Sequence, residues 1–122
     1  MGVGYHEEPV RFRGKTMTRY FDRITLQSTA QWEEMEIPGA ALYWRLKNLD
    51  STNALSVSYD EHDPGKRSSS QDKVFDTVPK QPSYGNIVEG EDVPESCWLL
   101  PAGANVVVYI EFICDDGKFN DE

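Results

Sequence analysis

Leu42-Tyr43-Trp44-Arg45-Leu46-Lys47 sets an apolar residue at every second place, Asn48-Leu49-Asp50-Ser51-Thr52-Asn53 supplies turn formers, and Leu55-Ser56-Val57-Ser58-Tyr59-Asp60 alternates again. A period of two marks a strand with one dry face, and the turn residues between the two runs predict a hairpin. A second segment, Ser96 to Ile113, repeats the design. Cys97-Trp98-Leu99-Leu100 leads into a turn at Pro101-Ala102-Gly103-Ala104, and Val106-Val107-Val108-Tyr109-Ile110-Glu111-Phe112-Ile113 follows as a β-branched and aromatic run suited to a central strand. The expected fold is all-β, a single antiparallel β-sandwich of jelly-roll or immunoglobulin-like type. On this alternation Trp44 and Trp98 join Leu42, Leu46 and Leu100 in the core.

With 122 residues the chain makes one domain. No apolar run approaches the roughly 20 residues that a membrane-spanning helix needs. Met1 to Tyr20 is polar and has no apolar stretch of the kind a signal peptide carries, so neither a membrane span nor a leader is expected. A formal charge of −9 argues against general nucleic-acid binding, which depends on Lys and Arg neutralising phosphates. The charge is unevenly spread. Arg11, Arg13, Lys15, Arg19 and Arg23 outnumber Glu7, Glu8 and Asp22, so the first 23 residues carry +2 and the remaining 99 carry −11. A basic end on an acidic body suits docking onto an acidic neighbour, another copy of the chain included; the other reading is that these charges are the solvated faces of an edge strand. In the predicted second hairpin Cys97 faces about Val108 and not Cys114. Both thiols therefore read as free, buried and suited to a reducing compartment.

Residues 1–16, with Gly2, Gly4, Pro9 and Gly14 and few apolar groups, read as an extended N-terminal arm. Met17 to Leu26 is strand-like, with Tyr20, Ile24 and Leu26 on one side and Phe21 on the other. Ser28 to Met35 supports only a short capped turn or loop before Pro38-Gly39. The sandwich body spans 17–114 and includes a long loop, 61–95, in which Lys73 to Val78 can add a short strand and Tyr84 with Ile87-Val88 can pack down. Residues 115–122 read as a frayed acidic tail.

No constellation for catalysis emerges. His6 in the arm and His62 in a loop offer no base for a hydrolytic triad. In Glu61-His62-Asp63 adjacent side chains point to opposite faces and cannot close a metal shell. Asp115-Asp116-Gly117 lacks the alternating oxygen ligands of a calcium loop, and Pro101-Ala102-Gly103-Ala104 leads into a strand, not a phosphate-binding helix. The chain is therefore expected to be no enzyme and to use no cofactor or metal. Trp32, flanked by Gln31, Glu33 and Glu34 in a loop, is the aromatic placed either for contact with a partner or ligand or for partial burial.

Arg45 to Asp60, followed after an interval by Leu100-Pro101-Ala102-Gly103-Ala104-Asn105-Val106, resembles the small β-sandwich accessory proteins of tailed bacteriophages. In those proteins an Asn after a strand, a polar turn, a second strand ending in Asp and a Pro/Ala-Gly turn precede the last long strand. The resemblance implies a structural component of the virion, made in the host cytoplasm: a capsid decoration protein or a head-tail neck or tail accessory. It further implies a symmetric homo-oligomer bound to major capsid or neck and tail proteins, without nucleic acid or membrane. Arg11, Arg13, Arg19 and Trp32 are the expected partner-binding residues, with the arm and long loop making contacts. The other reading is a carbohydrate- or protein-binding β-sandwich module, which calls for Trp32 and Tyr84 in one exposed patch.

Overall fold

Alternating β-branched and aromatic residues produce nine strands in the computed structural model, which describes residues 4–66 and 76–119. They are β1 (His6–Phe12), β2 (Lys15–Leu26), β3 (Glu33–Glu34), β4 (Ala41–Asn48), β5 (Leu55–Ser58), β6 (Asp76–Val78), β7 (Ile87–Gly90), β8 (Trp98–Pro101) and β9 (Val106–Cys114), with one 3-10 turn at Pro64–Lys66. The chain is all-β, with a five-stranded sheet ordered β1-β2-β9-β4-β7 and a four-stranded sheet ordered β3-β8-β5-β6, every pair antiparallel. Among the described residues no helix is long and apolar enough to cross a membrane. One core cluster draws Leu26, Trp44, Leu46, Val108, Ile110 and Phe112 from the larger sheet and Leu55, Val57, Val78 and Leu99 from the smaller.

The strands expected from alternation are present, but their partners differ. β4 pairs with β9 and β7, and β5 with β8 and β6, so neither predicted hairpin forms. Each of the two turns is a corner that carries the chain from one sheet to the other. The cause at the first corner is Asn48, fully buried at the end of β4. Its Nδ2 donates to the carbonyls of Asn53 (3.0 Å), Val78 (3.3 Å) and Pro79 (3.3 Å), and its Oδ1 accepts from the Asp50 amide at 2.9 Å. Asn86 completes the knot by donating Nδ2 to the Asn48 carbonyl. At the second corner Gly103 lets the chain lie against the Asn53 side chain, whose Nδ2 a Cβ there would approach to 2.5 Å, and the Ala102 amide donates to the Ala54 carbonyl. The two corners are thus packed on each other.

Phase also differs. A register shift between Ala41 and Tyr43 turns Leu42 outward, to 39% exposure, while Trp44 and Leu46 stay buried. In β8 the inward residues are Leu99 and Pro101, preceded by buried Cys97. Trp98 and Leu100, expected inside, are half-buried on the other face, and the Trp98 indole donates to the Asp60 carbonyl. Because β8 does not pair with β9, the expected opposition of Cys97 and Val108 does not arise; both cysteines are free and buried, and burial raises each thiol to about 12.

Within the segment read as an extended arm, His6–Phe12 is instead the edge strand β1, paired along its length with β2. Its faces bury little, so composition carries no stripe; backbone hydrogen bonds hold it. Arg13 (φ 55°) and Gly14 (φ 77°) make the two-residue left-handed turn that suits the twist of a tight hairpin. Ser28 Oγ accepts from the Ala30 and Gln31 amides, giving the short capped loop expected before β3. The long loop contains β6 and β7, so it is partly sheet; Tyr84 stays wholly exposed, and Lys73-Val74-Phe75 lies outside the described residues. Residues 115–119 are tied down where fraying was expected. Lys15 pairs with Asp115 at 2.9 Å, Thr18 and Tyr20 donate hydroxyls to Asp116, and Lys118 reaches Glu7 at 2.6 Å.

Asn48→Ala should lower stability by about 2–4 kcal/mol in urea unfolding, since it strands three carbonyls and an amide, whereas exposed Thr52→Ala should stay within about 0.5 kcal/mol. Asp116 provides a pH test. Desolvation alone would raise its carboxyl, but hydrogen bonds from Tyr20 and Thr18 outweigh that and hold it below the ordinary carboxylate value. A lowered native pKa adds stability above about pH 4 that is lost as pH falls through the native value, so wild type should lose more stability than Asp116→Asn between about pH 5 and 3.

Candidate functional site

The outer face of the five-stranded sheet carries a connected set of charges. Alternation in β4 sends Tyr43, Arg45 and Lys47 outward, and the same rule in β9 sends Tyr109 and Glu111 outward. Register then sets Arg45 opposite both Glu111 and Glu89, and Glu8 opposite Arg19. The result is a row of alternating sign across all five strands: Glu8, Arg19, Glu111, Arg45, Glu89.

Glu111 is the centre of this row. Its side chain is only 10% exposed, a burial that a carboxylate tolerates only with close partners. Arg19 Nε donates to Oε2 at 3.0 Å, the Tyr109 hydroxyl to Oε1 at 3.1 Å, and Arg45 Nη1 lies 3.9 Å from Oε1. Arg19 also donates to Glu8 and, at 2.6 Å, to the Tyr109 hydroxyl, and its guanidinium lies 4.0 Å from the Phe21 ring centre. Burial works against the Arg19 charge, but the Glu111 carboxylate more than offsets it and holds the guanidinium pKa above its ordinary value. Arg45 is likewise held above its ordinary value against burial, by Tyr43 and by Glu89, which accepts from Nε at 2.8 Å. Burial and the Glu111 charge raise the Tyr109 phenol.

The next row is different in kind. Arg23 and Lys47 both lie opposite Tyr109 in register, one on each side. A shallow hollow of about 320 Å³ opens there, walled by those three residues with Leu49, Ile87 and the Arg19–Glu111–Arg45 row. Arg23 also borders a second hollow of about 370 Å³ that contains His6, Phe21 and Asp22. Chemically this face can take up negative charge next to an aromatic ring.

The residues expected to bind partners do not converge. Arg11 donates to Thr16 Oγ1 and to the Gly14 carbonyl, both at 2.8 Å, inside its own hairpin. Arg13 sits in the turn, paired with Glu91 and 5.0 Å from the Phe12 ring centre. Arg19 belongs to the charged row. Trp32 lines a cleft of about 580 Å³ with Glu33, Glu34, Met35, Glu36, Ile37 and Glu95, at the β3 edge of the smaller sheet. Tyr84 follows β6, at the opposite edge of that sheet, so the two aromatics share no patch. Reading by residue type missed Arg45, Lys47, Glu89, Tyr109 and Glu111; their signal was the set of polar residues at alternate places within two apolar strands. Among the described residues no group of three His, Cys, Asp or Glu is placed to hold a metal, and His62 is exposed.

A double-mutant cycle of Arg19→Met and Glu111→Gln should return a coupling of about 1–2 kcal/mol, against at most about 0.5 kcal/mol for exposed Arg13 with Glu91; equal couplings would deny the central row its structural weight. Comparisons with protein-family models, with curated proteins and with solved structures find no match to this chain, so its own residues carry the functional reading.

Proposed function

We propose that this chain is a structural component of a bacteriophage virion, a capsid decoration protein or a head-tail neck or tail accessory, that acts as a rigid β-sandwich and not as an enzyme. The strand order supports this. With edge strand β1 set aside, the sheets read β2-β9-β4-β7 and β3-β8-β5-β6, so that β2 pairs with β9, β3 with β8, β4 with β7 and β5 with β6. Such nested pairing across two sheets is the order of a jelly roll, a sandwich that recurs in viral capsid proteins and in lectins. An immunoglobulin-like order would pair these strands differently. Fold alone does not assign function; the turn chemistry, similar to that of phage accessory proteins, is what supports the virion reading.

In this role the protein works mechanically. Arg11 and Arg13 present the end of the β1–β2 hairpin to a neighbouring capsid, neck or tail protein, Trp32 presents the cleft beside β3, and Arg19 keeps the sheet face rigid through Glu111. A symmetric homo-oligomer multiplies modest contacts into avidity. Quantitative peptide mass spectrometry of purified particles from the source should detect the chain at fixed stoichiometry to the major capsid protein. Hundreds of copies would place it on the shell and a few to a dozen in a neck or tail ring, while absence from intact particles would overturn the virion role.

A further inference from the structure

Arg23 and Lys47 stand apart from the other cations of the larger sheet. Arg19 and Arg45 are each bound to carboxylates, whereas among the described residues neither the Arg23 nor the Lys47 side chain meets one. They flank Tyr109 on neighbouring strands, which sets their backbones about 10 Å apart, twice the spacing between strands. Two unmatched positive charges beside an aromatic ring are an unusual feature on a chain with a net charge of −9. They call for a negatively charged counterpart.

The same chain carries that counterpart elsewhere. The cleft at the β3 edge is lined by Glu33, Glu34, Glu36 and Glu95, and among the described residues none of these carboxylates is paired with a cation. The cationic hollow lies on the outer face of the larger sheet and the cleft at an edge of the smaller one, so one chain cannot close the contact on itself. We propose that the Arg23–Tyr109–Lys47 face receives the carboxylate-lined cleft of a second copy of this chain. The contact is head to tail: each copy offers a face to one neighbour and a cleft to the next, so association continues into a ring or a filament and does not stop at a two-fold dimer. This goes beyond the virion role by naming the self-contact, and it is decided in solution, away from particles.

Sedimentation velocity on the full chain tests it. At about 20 mM salt the wild type should form species larger than a dimer that recede at about 300 mM, where charges are more strongly screened. Arg23→Glu with Lys47→Glu should weaken association by about tenfold or more, as should Glu33→Lys with Glu34→Lys, Glu36→Lys and Glu95→Lys, because each sets like charges against each other. The variant with all six changes restores opposite charges in reversed order and should associate again. Circular dichroism checks the fold, and Arg23→Gln with Lys47→Gln replaces any reversal that fails to fold. A wild type that stays monomeric at low salt and millimolar concentration overturns the proposal. So does association that survives the first pair of changes, loss that the cleft variant does not reproduce, or a folded sixfold variant that fails to recover. Self-association without virion incorporation would overturn only the preceding role.

Discussion

The side chain of Asn48 is the constraint on which the architecture turns. It ends β4 inside the core, and an amide in that position must find partners or cost several kcal/mol. It finds them in two stretches of chain, the corner that follows it and the end of β6, while Asn86 in the loop before β7 donates to the backbone carbonyl of the same residue. By bonding forward to Asp50 and Asn53 it bends the backbone out of the larger sheet, so β5 begins in the smaller one. Among the described residues no buried side-chain nitrogen or oxygen lacks a partner. Polar satisfaction and chain direction are one event at this corner.

From that corner the nested pairing follows. Once β5 lies in the smaller sheet beside β8, and β4 in the larger beside β9, the chain between β8 and β9 must also cross between sheets. Gly103 allows that crossing to lie against Asn53. The charged row depends on this arrangement, because Arg19, Arg45 and Glu111 come from three strands that only the crossing brings side by side. An electrostatic network spanning residues 8 to 111 is in this sense a product of two turns.

Strand existence was legible in the sequence; strand partnership was not. A period of two reports that a face is buried, and Asn, Asp and Gly report that the chain bends. Neither reports whether the next strand returns to the same sheet, and the six residues from Asn48 to Asn53 are too long to demand a tight hairpin. Trp98 was misplaced because β8 is apolar on both faces, so alternation has no preferred phase there. β1 left no apolar stripe to read, because an edge strand held by backbone hydrogen bonds needs none; only its charges, readable as the solvated face of an edge strand, pointed to it. The cations were visible as a composition, but Arg19's role rests on a register with β9, and Arg23 and Lys47 differ from it only by what lies across from them. Trp32 and the flanking Glu33 and Glu34 were legible together in the sequence, whereas only the fold brings Glu95 to the same cleft.

The edges of the two sheets carry a further meaning. β1 has Pro9 at its middle, which removes a backbone donor, and β3, β6 and β7 are two, three and four residues long. Among the described residues the sheets therefore offer little continuous unpaired backbone on which another strand can template. A protein that accumulates to high local density runs the risk of cross-β stacking, and short or proline-interrupted margins disfavour that route. Contacts between molecules are thereby left to side chains, whose charges can be matched or mismatched, while the backbone remains reserved for the fold itself.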